Sequence, residues 1–306
     1  MNCEQINLGN NPYQTIVTSA RDRLRMKTLI FLPFALLAYL NPVAAMAQDA
    51  SCALSFLGGQ APALTNSKLE QRTTMLCNDA YAVLASGVTH GPLWSAEHLT
   101  RASLEQARQM RRRGEFHTED RLPPGDQAQL ADYRRSGFDR GHMTPSGDAP
   151  DEMAQQQTFS LANVVPQTAE LNRGVWEGVE TAVRDLAGRD GELYVVTGPA
   201  FYGEQLQSIG PGGVLVPSST WKAIYDPRIG EAGVYVCKNT KTPTCDAVSV
   251  AVLIQAVHVD PFPALSDSVK QVTMTLPPPE DSPYAPKGRT RYRRQERSFL
   301  QQLLNP

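Results

Sequence analysis

The chain has 306 residues, 41% hydrophobic and 20% charged, which suits one large domain with a sizeable core. Its formal net charge of −2 excludes a globally basic nucleic-acid binder, so any phosphate-binding surface must be local. No C-x-x-C pair occurs among the five cysteines, which argues against structural zinc or a thioredoxin-like site.

Residues 1–47 read as a secretory signal peptide. Arg21, Arg23, Arg25 and Lys27 precede an apolar run from Thr28 to Leu40, broken by Pro33, and Ala45-Met46-Ala47 is a small-x-small cleavage site. Met26-Lys27 opens a signal of ordinary length, so Met26 is an alternative start; an uncleaved N-terminal anchor is the competing reading. Cleavage would leave 259 residues from Gln48, with 25 basic and 29 acidic groups, in a periplasmic or secreted protein. It would also remove Cys3, leaving an even set of four cysteines, which in an exported chain favours disulfides. Three connectivities are open, and proximity along the chain favours Cys52–Cys77 and Cys237–Cys245.

Cys52 to Thr74 is rich in Gly, Ala and Pro and reads as irregular. Tyr81 to Leu84 and Trp94 to Leu99 read as strands around a His90-Gly91-Pro92 turn. Leu104 to Arg113 is helical by local propensity, and Asp126 to Tyr133 is a short helix. Ala149 to Gln157 is a further helix, Phe159 to Val164 a short element, and Leu171 to Leu186 the strongest helix, with Gly188 just past its end. Leu193 to Val196, Val214 to Val216, Trp221 to Tyr225, Gly233 to Cys237 and Ala247 to Ile254 are apolar, β-branched runs that read as strands. Pro277-Pro278-Pro279 through Pro286 is a stiff linker to a basic tail containing Lys287, Arg289, Arg291, Arg293, Arg294 and Arg297.

The chemistry concentrates between these strands. Phe138-Asp139-Arg140-Gly141-His142-Met143 is followed about thirty residues later by Asn172, Trp176, Glu180 and Arg184, each four apart, so that on a helix they form one slowly drifting stripe. Histidine titrates near neutral pH and can take a proton from water. An amide oxygen suits a hard cation that keeps several waters, and guanidinium geometry matches two phosphate oxygens. These are the parts needed to hydrolyse a phosphodiester with one metal ion. The bland alternatives are a core histidine, an Asn at a helix cap, and a plain Glu180–Arg184 surface ion pair.

Taken with Leu76-Cys77-Asn78-Asp79-Ala80-Tyr81, Asn163-Val164-Val165-Pro166-Gln167, Leu171-Asn172-Arg173-Gly174-Val175-Trp176, Val196-Thr197-Gly198-Pro199 and Pro217-Ser218-Ser219-Thr220-Trp221-Lys222, the chain resembles the DNA/RNA non-specific endonucleases. The resemblance runs from about Cys77 to about Leu253 and implies an α+β fold: a ββα-metal (His-Me finger) nuclease core with a central antiparallel sheet flanked by helices. It divides the chain into the signal, an endonuclease domain over 48–276, and a Pro-rich linker with basic tail over 277–306. His142 would be the general base, Asn172 the metal ligand for Mg²⁺ (with Mn²⁺ as a substitute), and Glu180 would orient water near the ion. Arg184 would face phosphate, Arg140 would position phosphate or hold the signature strand through a carboxylate, Asn163 would support the site near the histidine, and Asp139 would buttress it. The upstream substrate arginine falls on Arg113, with the neighbouring Arg112 a fair substitute. The same resemblance implies strand and loop, not helix, around Leu104 to Arg113.

The implied substrates are DNA and RNA, cut with little sequence preference to leave 5′-phosphates, since no residue is marked out to read a base edge. The alternative from another class is a catalytically silent nucleic-acid-binding protein of the same fold. Two further partners stay open: a second copy in a homodimer, and an inhibitor protein if the activity serves as a toxin.

Overall fold

Val195 and Val196 are neighbours in sequence, yet they pack into two different apolar cores. That alternation is what a strand buried on both faces requires, and it recurs through the central sheet. The computed structural model describes residues 50–203, 205–280, 282 and 291–293. The signal-peptide reading of residues 1–47 and most of the basic tail lie outside the described residues.

The strands longer than two residues, in chain order, are β1 (Thr73–Cys77), β2 (Tyr81–Ser86), β3 (Gly91–Thr100), β4 (Asp139–His142), β5 (Val164–Gln167), β6 (Glu192–Ala200), β7 (Ser219–Asp226), β8 (Glu231–Lys238), β9 (Thr244–Val248) and β10 (Arg291–Arg293). Eight of them form one sheet in the order β10-β9-β8-β7-β6-β3-β2-β1, antiparallel throughout except where β9 meets β10. The remaining two, β4 and β5, pair antiparallel as a separate ribbon. The helices are α1 (Arg101–Gln109), α2 (Glu152–Thr158), α3 (Trp176–Asp190), α4 (Val250–Val257) and α5 (Asp267–Gln271).

Helix α3 lies on one face of the sheet. It buries Trp176, Val179, Val183 and Leu186, spaced three, four and three apart, against Leu99, Leu193, Val195 and Ile224. Each such side chain contributes about 1.5–3 kcal/mol on leaving water. The opposite face is covered by α4, through Val250 and Leu253, and by Phe56 and Phe262, packed on Trp94 and Trp221. The ribbon β4–β5 followed by α3 makes a strand–strand–helix unit on the α3 face. The α+β architecture with a central antiparallel sheet is therefore as expected.

Several local expectations need correction. The apolar run from Ala247 to Ile254 is not one strand: β9 ends at Val248, Ser249 caps the next turn by accepting from the Val252 N–H, and α4 begins. A run without polar interruptions carries no period, so the serine cap decides the outcome. The stretch around Leu104 is helical as its propensity indicates, starting at Arg101 under a Thr100 capping box and ending by Met110, against the strand implied by the resemblance. Only Leu130–Tyr133 of the Asp126 to Tyr133 segment makes an α-helical turn, after a 3-10 turn at Pro124–Asp126. The long helix expected from Leu171 opens as a π-turn over Leu171–Val175, with Gly174 out of helical geometry, and becomes regular only at Trp176. It also runs past Gly188 and ends at Gly191.

Both expected disulfides form, Cys52–Cys77 and Cys237–Cys245. Cys237 and Cys245 are direct partners across β8 and β9, and β10 flanks β9, so this pair is not at the sheet edge. Residues 277–280 do not stand off as a spacer. The Pro277 carbonyl accepts from the Tyr235 hydroxyl at 2.5 Å, and the Glu280 carbonyl lies so near Gly178 that a Cβ there would sit 1.9 Å from it.

Candidate active site

The ribbon sets His142 opposite Val164 at the end of β4. Gly141 precedes it in extended backbone, and a Cβ there would meet Gln167 Oε1 at 2.0 Å. Glycine is needed for this close approach, not for freedom to swing the histidine. The His142 ring packs between Phe116 and Phe159, at centroid distances of 5.1 and 5.0 Å, and its Nε2 has no hydrogen-bond partner. Burial, then the positive fields of Arg112 and Arg140, lower its pKa to about 3, so the imidazole is neutral at neutral pH.

Asn163 is fully buried and holds the backbone just beyond His142. Its Oδ1 accepts from the Thr144 N–H at 3.0 Å, its Nδ2 donates to the Thr144 and Thr158 carbonyls at 2.9 Å, and its own carbonyl accepts from the Met143 N–H.

Asn172 sits in the π-turn, where its Nδ2 donates to Asp139 Oδ2 at 3.1 Å. A carboxylate only accepts, so this bond fixes the amide orientation and leaves Oδ1 as the group available to a ligand. Asp139 is itself held by Arg173, at 2.7 and 2.5 Å. Asp139 thus bridges the Asn172 amide and the Arg173 guanidinium.

Glu180, Arg184, Asn172, His142, Arg140 and Arg112 all line one cleft of about 1080 Å³. Trp176, fourth member of the sequence stripe, is instead buried beneath it, and Trp221 is core. Burial pushes the Glu180 carboxyl up to about 7, against the pull of Arg184 and Lys222 and with help from Asp148. Arg184 is paired with Asp148 at 3.0 Å and donates to Thr181 at 2.9 Å, so its ion pair is with a residue 36 positions away. Arg140 stacks its guanidinium 4.3 Å above the Phe116 ring, and Arg112 lies 5.6 Å from the Phe159 ring.

Of the two candidate upstream arginines, Arg112 lines the cleft and Arg113, whose backbone N–H donates to Gln155 Oε1 at 2.6 Å, does not.

The donor set fits a hard, largely hydrated cation. An oriented amide oxygen and a nearby carboxylate are what Mg²⁺ uses, and among the described residues no group of three or more His, Cys, Asp or Glu offers a cage.

Several functional neighbours escape sequence reasoning. Asp148, Phe116 and Phe159 carry no motif of their own. Lys222 and Glu97 form a buried pair at 3.9 Å beneath the cleft. Lys222 lies in a segment that carries the family resemblance, and Glu97 is the one carboxylate in its strand, so these two left a signal.

A model of the DNA/RNA non-specific endonuclease family matches residues 60–268. The chain is 35% identical over 166 residues to a mitochondrial nuclease of Schizosaccharomyces pombe, covering 50% of this chain and 52% of that protein. It is 32% identical over 177 residues to a nuclease of Nostoc sp., covering 57% and 62%. The chain thus spans about half to three-fifths of these relatives' length. A solved EndoG/EndoGI complex, described as showing EndoG inhibition, contains a chain of similar structure with a TM-score of 0.57 and 25% identity, covering 65% of this chain and 89% of that one. These comparisons overturn the expected periplasmic or secreted location: the relatives from S. pombe, Danio rerio, Saccharomyces cerevisiae and Homo sapiens are named as mitochondrial, although the Nostoc one is not.

Proposed function

Since the chain belongs to the DNA/RNA non-specific endonuclease family, we propose that it hydrolyses phosphodiester bonds of DNA and RNA in a Mg²⁺-dependent reaction with little sequence preference. The observation that carries this reading is the convergence on one cleft of a neutral, unpartnered histidine, an amide oxygen oriented by Asp139, and three arginines. His142, which lines the cleft, accepts the proton of the attacking water on its imidazole. Arg112 and Arg140 bind substrate phosphates, and Arg184, steadied by Asp148, faces the charge that develops at the reacting one. Asn172 Oδ1 would hold the ion and Glu180 would orient water beside it. When bound, Mg²⁺ supplies Lewis-acid stabilisation of charge on the phosphate and the leaving 3′ oxygen. A 5′-phosphate remains on the product.

The test is nicking of supercoiled plasmid by the purified protein, with and without Mg²⁺, beside His142→Ala. The expected result is metal-dependent cleavage by the wild type that the variant loses. Plasmid retained without cleavage by either protein would replace this reading with a nucleic-acid-binding one.

A further inference from the structure

A lysine buried among carboxyls beneath a cleft calls for an explanation. Lys222 is 1% exposed in β7, at the centre of the sheet. Its Nζ donates to Thr197 Oγ1 at 2.6 Å and to the Met143 carbonyl at 3.4 Å, lies 3.9 Å from Glu97 Oε1, and is 5.8 Å from the Trp176 ring centroid. Taking an ammonium out of water costs several kcal/mol, and a loose pair at 3.9 Å with a carboxyl oxygen that has no hydrogen bond does little to offset it. Packing alone would be served better by an apolar side chain.

The contacts locate what the charge does. Met143 and Thr144, which follow His142, are gripped from the ribbon side by Asn163. From the large sheet they are reached by two side chains: Ser95, whose hydroxyl meets the Thr144 hydroxyl at 2.7 Å, and Lys222. Lys222 is the charged one. It also exerts its field on Glu97 and Glu180.

We propose that Lys222 is a positioning residue for phosphodiester cleavage: its ammonium ties the Met143 carbonyl to the central sheet and so fixes where His142 stands relative to Glu180. The proposal rests on the nuclease reading above. It extends the site from the cleft wall down into the sheet, to a residue that touches neither substrate nor metal. Displacing a catalytic group by about 1 Å can cost about 10²-fold in rate, so the hold matters more for turnover than for binding.

The experiment compares Lys222→Met, alone and with Glu97→Gln, against the wild type, reading kcat, KM, thermal unfolding and amide hydrogen exchange at Met143 and Thr144. Lys222→Met is expected to lower kcat by about 10²-fold with KM within about twofold, and to speed exchange at those amides. The double variant leaves no lone buried charge; it should regain unfolding temperature while kcat stays low. A kcat near wild type in Lys222→Met, or one that recovers with stability in the double variant, would overturn the proposal. If Lys222→Met alone does not fold, the double variant decides the question by the same kcat and KM comparison. A wild type that does not cut sinks the nuclease reading instead, and so is distinguishable from failure of this one.

Discussion

At the scale of single residues, the cleft separates side chains that the sequence cannot. Arg112 and Arg113 are equivalent by composition and spacing, yet one lines the cleft and the other has its backbone pinned by Gln155. Arg112→Ala should weaken nucleic-acid binding and reduce the slope of log affinity against log salt by about 1, whereas Arg113→Ala should leave that slope alone. Equal slopes for the two variants would reverse the assignment. Asp139 offers a second test, because it orients the Asn172 amide. Asp139→Ala should raise the Mg²⁺ concentration for half-maximal cleavage by about 10–100-fold, the usual cost of losing a group that orients a metal ligand. An unchanged Mg²⁺ requirement would remove Asn172 from the metal site.

At the scale of elements, the site depends on a ribbon and a kinked helix start. The ribbon needs Gly141 because Gln167 occupies the space of its absent side chain. Gly141→Ala should therefore destabilise the fold by about 1–3 kcal/mol through overpacking, and shortening the neighbour in Gly141→Ala/Gln167→Ala should recover part of the loss. Thermal unfolding of the two variants decides this; no recovery would place the strain elsewhere. The helix start shows how far periodicity reaches. Four-residue spacing correctly groups Glu180 and Arg184 on a cleft-facing side of α3. It cannot anticipate the π-turn that carries Asn172, nor that Trp176 turns inward, because both follow from packing on the sheet.

At the scale of the whole molecule, two buried titrating groups give opposing pH dependences of stability. His142 falls from an ordinary 6.5 to about 3 on folding, so its contribution is complete above pH 6.5 and is lost as pH falls toward 3. Glu180 rises from 4.5 to about 7, so its contribution is complete below pH 4.5 and is lost as pH rises through 7. In metal-free buffer, Glu180→Gln should therefore flatten the decline in unfolding temperature between about pH 4.5 and 7. An unaltered profile would mean that Glu180 is not desolvated in solution. The same burial that shifts these groups also shows why their surroundings could not be read from the chain: Glu97, Lys222 and Asp148 reach the site from β3, β7 and a loop.

Local chemistry is what the sequence determines by itself. His142, Asn172 and Arg184 stand out as candidates because proton transfer, metal ligation and phosphate binding each favour particular side chains. Proximity along the chain favours the disulfide pairs that form, out of three possible connectivities, and most strands follow from apolar runs between turns. Tertiary structure decides which of two adjacent arginines lines the cleft, where an unbroken apolar run changes from strand to helix, and which charges lie under the cleft. Those outcomes depend on what each residue meets across the fold, and burial, close approach and electrostatic fields arise only once distant segments are in contact.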